Sequence, residues 1–197
     1  MTRRFFRPTP YWPTLFTMDD LEVGFQWIST LRKKHSHNSD IWNFRRDWDT
    51  IKEEMLNRLN DGSYRFGVIN RLEFPDGILS LWSSCDMVAL KLVSIALGQK
   101  MGKYIPKTCC HVKGHGGLKK AVRETYEALP KYQYVMRSDV QGYYASICHD
   151  TLMGIIQSYV THPVLLTLVR KACQRTETTG GNFYLRHEAT LRGCLPP

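Results

Sequence analysis

The sequence lacks several things, and each absence narrows the reading. No apolar run reaches the roughly 18 residues that a transmembrane helix needs. The N-terminus reads Met1-Thr2-Arg3-Arg4-Phe5-Phe6-Arg7-Pro8, with a basic start but no continuous apolar stretch and no small-residue cleavage site. A secretory signal is therefore not expected. A disulfide framework is missing: Cys85, Cys109, Cys110, Cys148, Cys173 and Cys194 are spread through the chain with no framework spacing. They read as reduced thiols of a cytoplasmic protein. Internal repeats and low-complexity tracts are absent as well. Acid is in short supply, with 18 Asp+Glu against 27 Lys+Arg and a net charge of +9 over 197 residues. The shortage is uneven: residues 1–100 hold 14 basic and 12 acidic residues, and residues 101–197 hold 13 and 6. A basic half points to a polyanionic partner, either nucleic acid or an anionic membrane surface.

What is present is ordinary globular material, 43% hydrophobic and 23% charged, in a chain long enough to bury a core. Residues 1–17 are rich in Pro and aromatics and read as an extended segment. A first helix is expected over about 18–34, closing in the basic run Arg32-Lys33-Lys34. Ser39-Asp40 opens a second, with Ile41, Phe44, Trp48, Ile51, Met55 and Leu59 on one face, and Asp61-Gly62 stops it. A strand at Tyr64–Ile69, a turn at Phe74-Pro75-Asp76-Gly77 and a strand at Ile78–Trp82 make a hairpin. An apolar helix follows over about 85–101. After a loop with Gly114-His115-Gly116-Gly117, a helix spans about 118–129 and stops at Pro130. Tyr132–Asp139 reads as a strand, helices follow at about 149–160 and 163–174, and Gly180-Gly181 leads into a strand at about 182–187. The order is α+β.

Four constellations carry candidate chemistry. Asp139 ends the expected strand, a glycine turn follows at Gly142, and then a helix begins. A carboxylate fixed at a sheet edge suits Mg²⁺, which takes one or two carboxylates and fills its other positions with water and phosphate oxygens. The bland alternative is an Asp that caps the next turn. The Gly-rich loop before Lys119, Lys120 and Arg123, with Lys113 inside it, could cradle phosphates with backbone N–H groups. It has no Walker A spacing, and an ordinary solvated helix is the alternative. Cys109, Cys110, His111 and His115 have ligand chemistry but no common zinc spacing. Trp42 and Trp48 could stack on bases, although their helical spacing favours packing.

The stretch Arg137-Ser138-Asp139-Val140-Gln141-Gly142-Tyr143-Tyr144 resembles the first catalytic motif of reverse transcriptases, in which an aromatic follows the Asp by five residues. Three further blocks resemble the same family in order: residues 40–66 with Gly62, Tyr64 and Phe66; Trp82–Leu97 around Asp86; and His111–Arg123. Arg192-Gly193-Cys194 resembles the start of the next motif. The nearest likeness is to the bacterial group II intron and retron enzymes. The resemblance implies an α+β right-hand polymerase fold, truncated within the palm: an N-terminal extension and first helix at 1–39, a fingers-like region at 40–130 and a partial palm at 131–197. It implies RNA-directed DNA polymerase descent, with an RNA template, a DNA primer and dNTPs as partners and Mg²⁺ as cofactor. Asp139 would be catalytic and bind metal, helped by the Val140 carbonyl. Tyr144 would contact the nucleotide and exclude a ribose 2′-OH. Lys113, Lys119, Lys120 and Arg123 would meet nucleic acid.

The departures from the family are chemical. The family's later Asp-Asp hairpin has no counterpart, and after Asp139 only Asp150, Glu177 and Glu188 are acidic. The only Asp-Asp pair is Asp19-Asp20. With one carboxylate, two Mg²⁺ ions repel each other without enough compensating charge. The expectation is a nucleic-acid-binding chain, inactive by itself, marginally stable and prone to aggregate through an uncovered strand. A protein-interaction domain with an incidental basic face is the remaining alternative.

Overall fold

The structure is a computed structural model that describes residues 13–75, 77–179 and 182–185. Residues 1–12 of the extended segment expected over 1–17, the expected Gly180-Gly181 turn and Arg192-Gly193-Cys194 lie outside the described residues.

Helix α1 (Met18–Leu31) starts at Thr17, whose hydroxyl accepts the Asp20 N–H at 3.2 Å while the Asp20 carboxylate accepts the Thr17 N–H at 2.9 Å. This reciprocal pair satisfies two N–H groups that a helix start leaves open. The helix expected over residues 40–60 is broken into α2 (Ile41–Arg46) and α3 (Trp48–Asn60). The break falls at Asp47, a residue that favours helix ends over helix interiors, and its carboxylate pairs with Arg46 at 2.8 Å. The apolar face is otherwise as expected: Ile41, Phe44, Trp48, Met55 and Leu59 are buried. The Trp48 ring stacks on Phe25 at 4.3 Å, and its N–H donates to Glu22 at 2.9 Å. Trp48 is therefore core. Trp42 is partly exposed beneath the Arg45 guanidinium.

Helix α4 (Ser84–Met101) is the centre of the core, packed against α1, α2 and α8 (Pro163–Cys173). Ser83 caps it by accepting the Asp86 N–H at 3.0 Å. Val88, Ala89, Leu90, Leu92, Val93 and Ala96 are all buried, so the helix is covered on more than one side. Gly24 lets α1 approach: a Cβ there would lie 2.7 Å from the Leu92 Cδ1 and 2.9 Å from the Val88 Cγ1.

Strands β1 (Ile69–Phe74) and β2 (Gly77–Leu81) form the expected antiparallel hairpin, but β1 begins five residues later than expected. The cause is local. Residues 64–67 bond elsewhere than to a neighbouring strand, with the Tyr64 N–H donating to the Arg58 carbonyl at 2.8 Å. The Gly67 N–H donates to Asp86 at 3.0 Å, and the Tyr64 carbonyl accepts the Lys171 ammonium at 3.1 Å. Strand β3 (Thr176–Thr179), not expected from the sequence, runs parallel to β1 and antiparallel to β4 (Asn182–Leu185), giving the order β2-β1-β3-β4. An Arg71–Glu177 ion pair at 3.0 Å crosses the parallel seam.

Between α4 and α7 (His149–Gln157) the chain makes an excursion. It contains α5 (Gly117–Ala128), the four-residue helix α6 (Tyr143–Ser146) and two 3-10 turns, at Gly102–Tyr104 and Leu129–Lys131. Tyr132–Asp139 is not a strand; it is irregular chain with every residue exposed. The β-formers Tyr134, Val135 and Met136 fit a pleated, half-buried surface, and no neighbouring strand supplies one among the described residues. From residue 101 to 148 no described side chain is buried. One anchor is the Tyr104–Tyr159 ring contact at 4.7 Å. The described chain is thus α+β, and none of its helices is long and apolar enough to cross a membrane.

Candidate nucleic-acid interface

Apart from Trp42 and Trp48, the excursion holds the residues that the sequence nominated for chemistry. Its basic surface is built on α5. Gly116 caps this helix in the left-handed region (φ +93°), and a Cβ there would come within 2.7 Å of the Lys120 Cβ. Only glycine combines that backbone with that approach. Leu118, Val122 and Leu129 then fall on one face of the helical path, with Lys119 and Arg123 beside them, one turn apart. All five are exposed. Lys113 is exposed in the loop before the helix. Lys120 is committed elsewhere: its ammonium donates to the Lys107 carbonyl at 3.1 Å and lies 3.5 Å from Glu124.

The Gly-rich loop closes partly on itself. The Gly117 N–H donates to the Cys110 carbonyl at 3.0 Å and the His115 N–H to the Val112 carbonyl at 2.9 Å. These two N–H groups are spent inside the loop, which makes the lysines and Arg123 the stronger anion-facing elements. Cys109, Cys110, His111 and His115 occupy the same loop, yet no group of three potential metal-binding side chains converges among the described residues.

Asp139 is exposed on the irregular stretch, and its carboxylate accepts the N–H of Val140 at 3.0 Å. The Val140 carbonyl accepts the Tyr143 N–H at 3.3 Å, closing a turn at Gly142 (φ +62°). The backbone of Tyr144 lies in α6; its side chain is outside the described residues. The other late acids are placed elsewhere: Glu177 is buried against Arg71 in the sheet, and Asp150 lies 3.6 Å from Arg170. Glu188 falls outside the described residues. A turn carboxylate whose oxygen already accepts a local N–H, with no second carboxylate converging on it among those described, does not fit a two-Mg²⁺ centre.

The structure also shows polar nodes that the sequence did not. The Asp86 carboxylate is buried and accepts the Tyr64 hydroxyl at 2.8 Å as well as the Gly67 N–H. Burial, together with the carboxylate and the Cys85 thiol beside it, pushes the Tyr64 hydroxyl far above its usual range, so it stays protonated as the donor. Arg32, also buried, donates to Asp40 at 2.7 Å, to the Ser84 hydroxyl at 2.8 Å and to the Trp82 carbonyl at 2.7 Å. These nodes tie α1, α2 and the 64–67 stretch to the start of α4. Their position in the core marks them as scaffold. Tyr64 and Asp86 belong to blocks that the sequence singled out, whereas Arg32 was noted only as part of a helix end.

No known protein family matches the chain, and no curated protein matches it.

Proposed function

We propose that the chain is a reverse transcriptase-like protein that binds nucleic acid through residues 101–137 and does not polymerise DNA by itself. One observation carries the binding. Residues 101–137 hold eight basic residues against two acidic ones, on a surface with no buried side chain among those described. One of the two acids, Glu124, already faces Lys120. Such a concentration of exposed cation releases counterions from a phosphate backbone on binding.

The polymerase kinship rests on the ordered sequence blocks around Asp86, His111–Arg123 and Asp139. RNA template, DNA primer and dNTPs are the partners that kinship suggests, and Mg²⁺ the cofactor. The predicted lack of turnover rests on the carboxylates. Two dications need more negative charge than Asp139 supplies, and Glu177 is held in the sheet by Arg71.

The test is RNA binding by the whole chain, followed by fluorescence anisotropy between 50 and 200 mM salt. Affinity is expected to fall steeply with salt. Replacing Lys119 and Arg123 together by Ala is expected to flatten the log–log slope by about 1.4 for a single strand. Replacing Lys120 is expected to change it less, because that ammonium is occupied by the Lys107 carbonyl and Glu124. Binding that is absent or indifferent to salt would leave the protein-interaction reading in its place. In a primer-extension assay with Mg²⁺ and dNTPs, no sustained synthesis is expected.

A further inference from the structure

We infer that the groove between α5 and residues 132–136 takes an unstacked nucleobase, so that the chain prefers single-stranded over duplex nucleic acid. The inference rests on the nucleic-acid reading above and adds a site and a substrate class to it.

Three tyrosines within nine residues stand in solvent: Tyr126 is 77% exposed, Tyr132 70% and Tyr134 88%. Tyr64, by contrast, is 6% exposed with its hydroxyl hydrogen-bonded. A flat aromatic face left in water is a stacking surface for any base, whatever its identity. Tyr132 and Tyr134 also line a cavity of about 470 Å³. That volume lies within the roughly 300–1,000 Å³ of small-molecule sites. It admits a base splayed out of a strand, whereas a base held in a duplex stack presents no free face.

The walls suit such a guest. Ala121 and Ala128 of α5, Leu129 of the 3-10 turn after it, and Val135 and Met136 of the irregular stretch are its apolar lining. Thr108 and Glu124 are among the lining residues. A carboxylate accepts a hydrogen bond from an exocyclic amine such as that of cytosine. The charge around the groove is complementary to a backbone. Lys119, Arg123, Lys131 and Arg137 are all exposed within the segments that form it. The rings would thus supply the preference for single strands, and the cations the salt-dependent affinity.

The experiment compares a labelled 12-nucleotide oligodeoxycytidylate with a 12-base-pair duplex, by anisotropy on the full chain at two salt concentrations. The single strand is expected to bind about tenfold tighter, with the margin widening at higher salt. The double substitution Tyr132→Ser/Tyr134→Ser is expected to weaken single-strand binding about tenfold or more while leaving the salt slope unchanged. Tyr132→Phe/Tyr134→Phe, which keeps both rings, should retain the affinity. Both pairs lie at exposed positions, and circular dichroism checks that the fold is intact. Equal binding of single strand and duplex, or indifference to the Ser pair, overturns the inference while leaving the nucleic-acid reading standing. No salt-dependent binding of either probe removes both. A mass that rises with protein concentration in light scattering, with loss of oligonucleotide binding, would assign the groove to a second chain and overturn the inference.

Discussion

Helices α4 and α5 both carry apolar residues along much of their length, yet they meet opposite fates. Eight residues of α4 are buried, and none of α5. Helix α4 has neighbours on several sides, so its apolar residues need no single stripe. Helix α5 has a pronounced stripe, with Leu118 79% exposed, and its main partner is the 3-10 turn that follows it. A monomer rarely leaves large contiguous apolar patches in water unless the patch meets something. The same contrast runs through the chain. The packed body holds the core and the buried polar nodes, and the excursion over 101–148 holds the nominated chemistry.

The contrast is open to attack, most strongly by hydrogen exchange. Amides in α4 are expected to open only with global unfolding, and those in 102–142 to exchange orders of magnitude faster. Comparable protection in the two helices would mean that the excursion has a fold of its own. Next in size is a pair of substitutions read by urea unfolding. Leu92→Ala removes a side chain that is 1% exposed and should cost about 3 kcal/mol. Leu118→Ala should change stability by less than about 0.5 kcal/mol. A large loss at Leu118 would show that α5 carries packing in solution.

The smallest effect concerns two thiols. Cys148 is exposed just ahead of α7, and hydrogen bonding to Thr151 and Asp150 lowers its thiol below the usual value. Burial pushes the Cys85 thiol up. Since the thiolate is the nucleophile, Cys148 should reach its full alkylation rate at a lower pH than Cys85 and be modified first by iodoacetamide. Mass spectrometry of partly alkylated protein reads the order; Cys85 reacting first would place the packed body and the excursion in the wrong roles.

The helices were legible because their cause is local. The 3-to-4-residue spacing from Ile41 to Leu59 and the Asp61-Gly62 stop are written in adjacent residues. The break at Asp47 was also signalled, by an acid in mid-pattern, but the face around it hid the signal. Strands were less legible because their cause lies elsewhere in the chain. Tyr132–Asp139 has strand-forming residues and no partner strand among the described residues. Thr176–Thr179 is short and polar, and it becomes a strand because β1 offers an edge. The 64–67 stretch has strand-like residues whose backbone groups go instead to Asp86 and Lys171, both remote in sequence. At the candidate site, the Asp139 spacing and the basic run could be read directly. The committed ammonium of Lys120 and the exposed tyrosine rings could not, since both depend on how the chain folds around residues 107 and 132–136.

The parallel pairing of β1 with β3 has a consequence for how the chain is made. Arg71 and Glu177, which bridge that seam, are 106 residues apart. At roughly 5–20 residues per second, a ribosome takes on the order of ten seconds to deliver the second after the first. For that interval the edge of β1 that takes β3 has no partner, and the whole basic excursion is synthesised before the edge is closed. Strand β3, with β4 beside it, therefore closes that edge, and the order of synthesis makes the charged surface before the sheet of the packed body is complete.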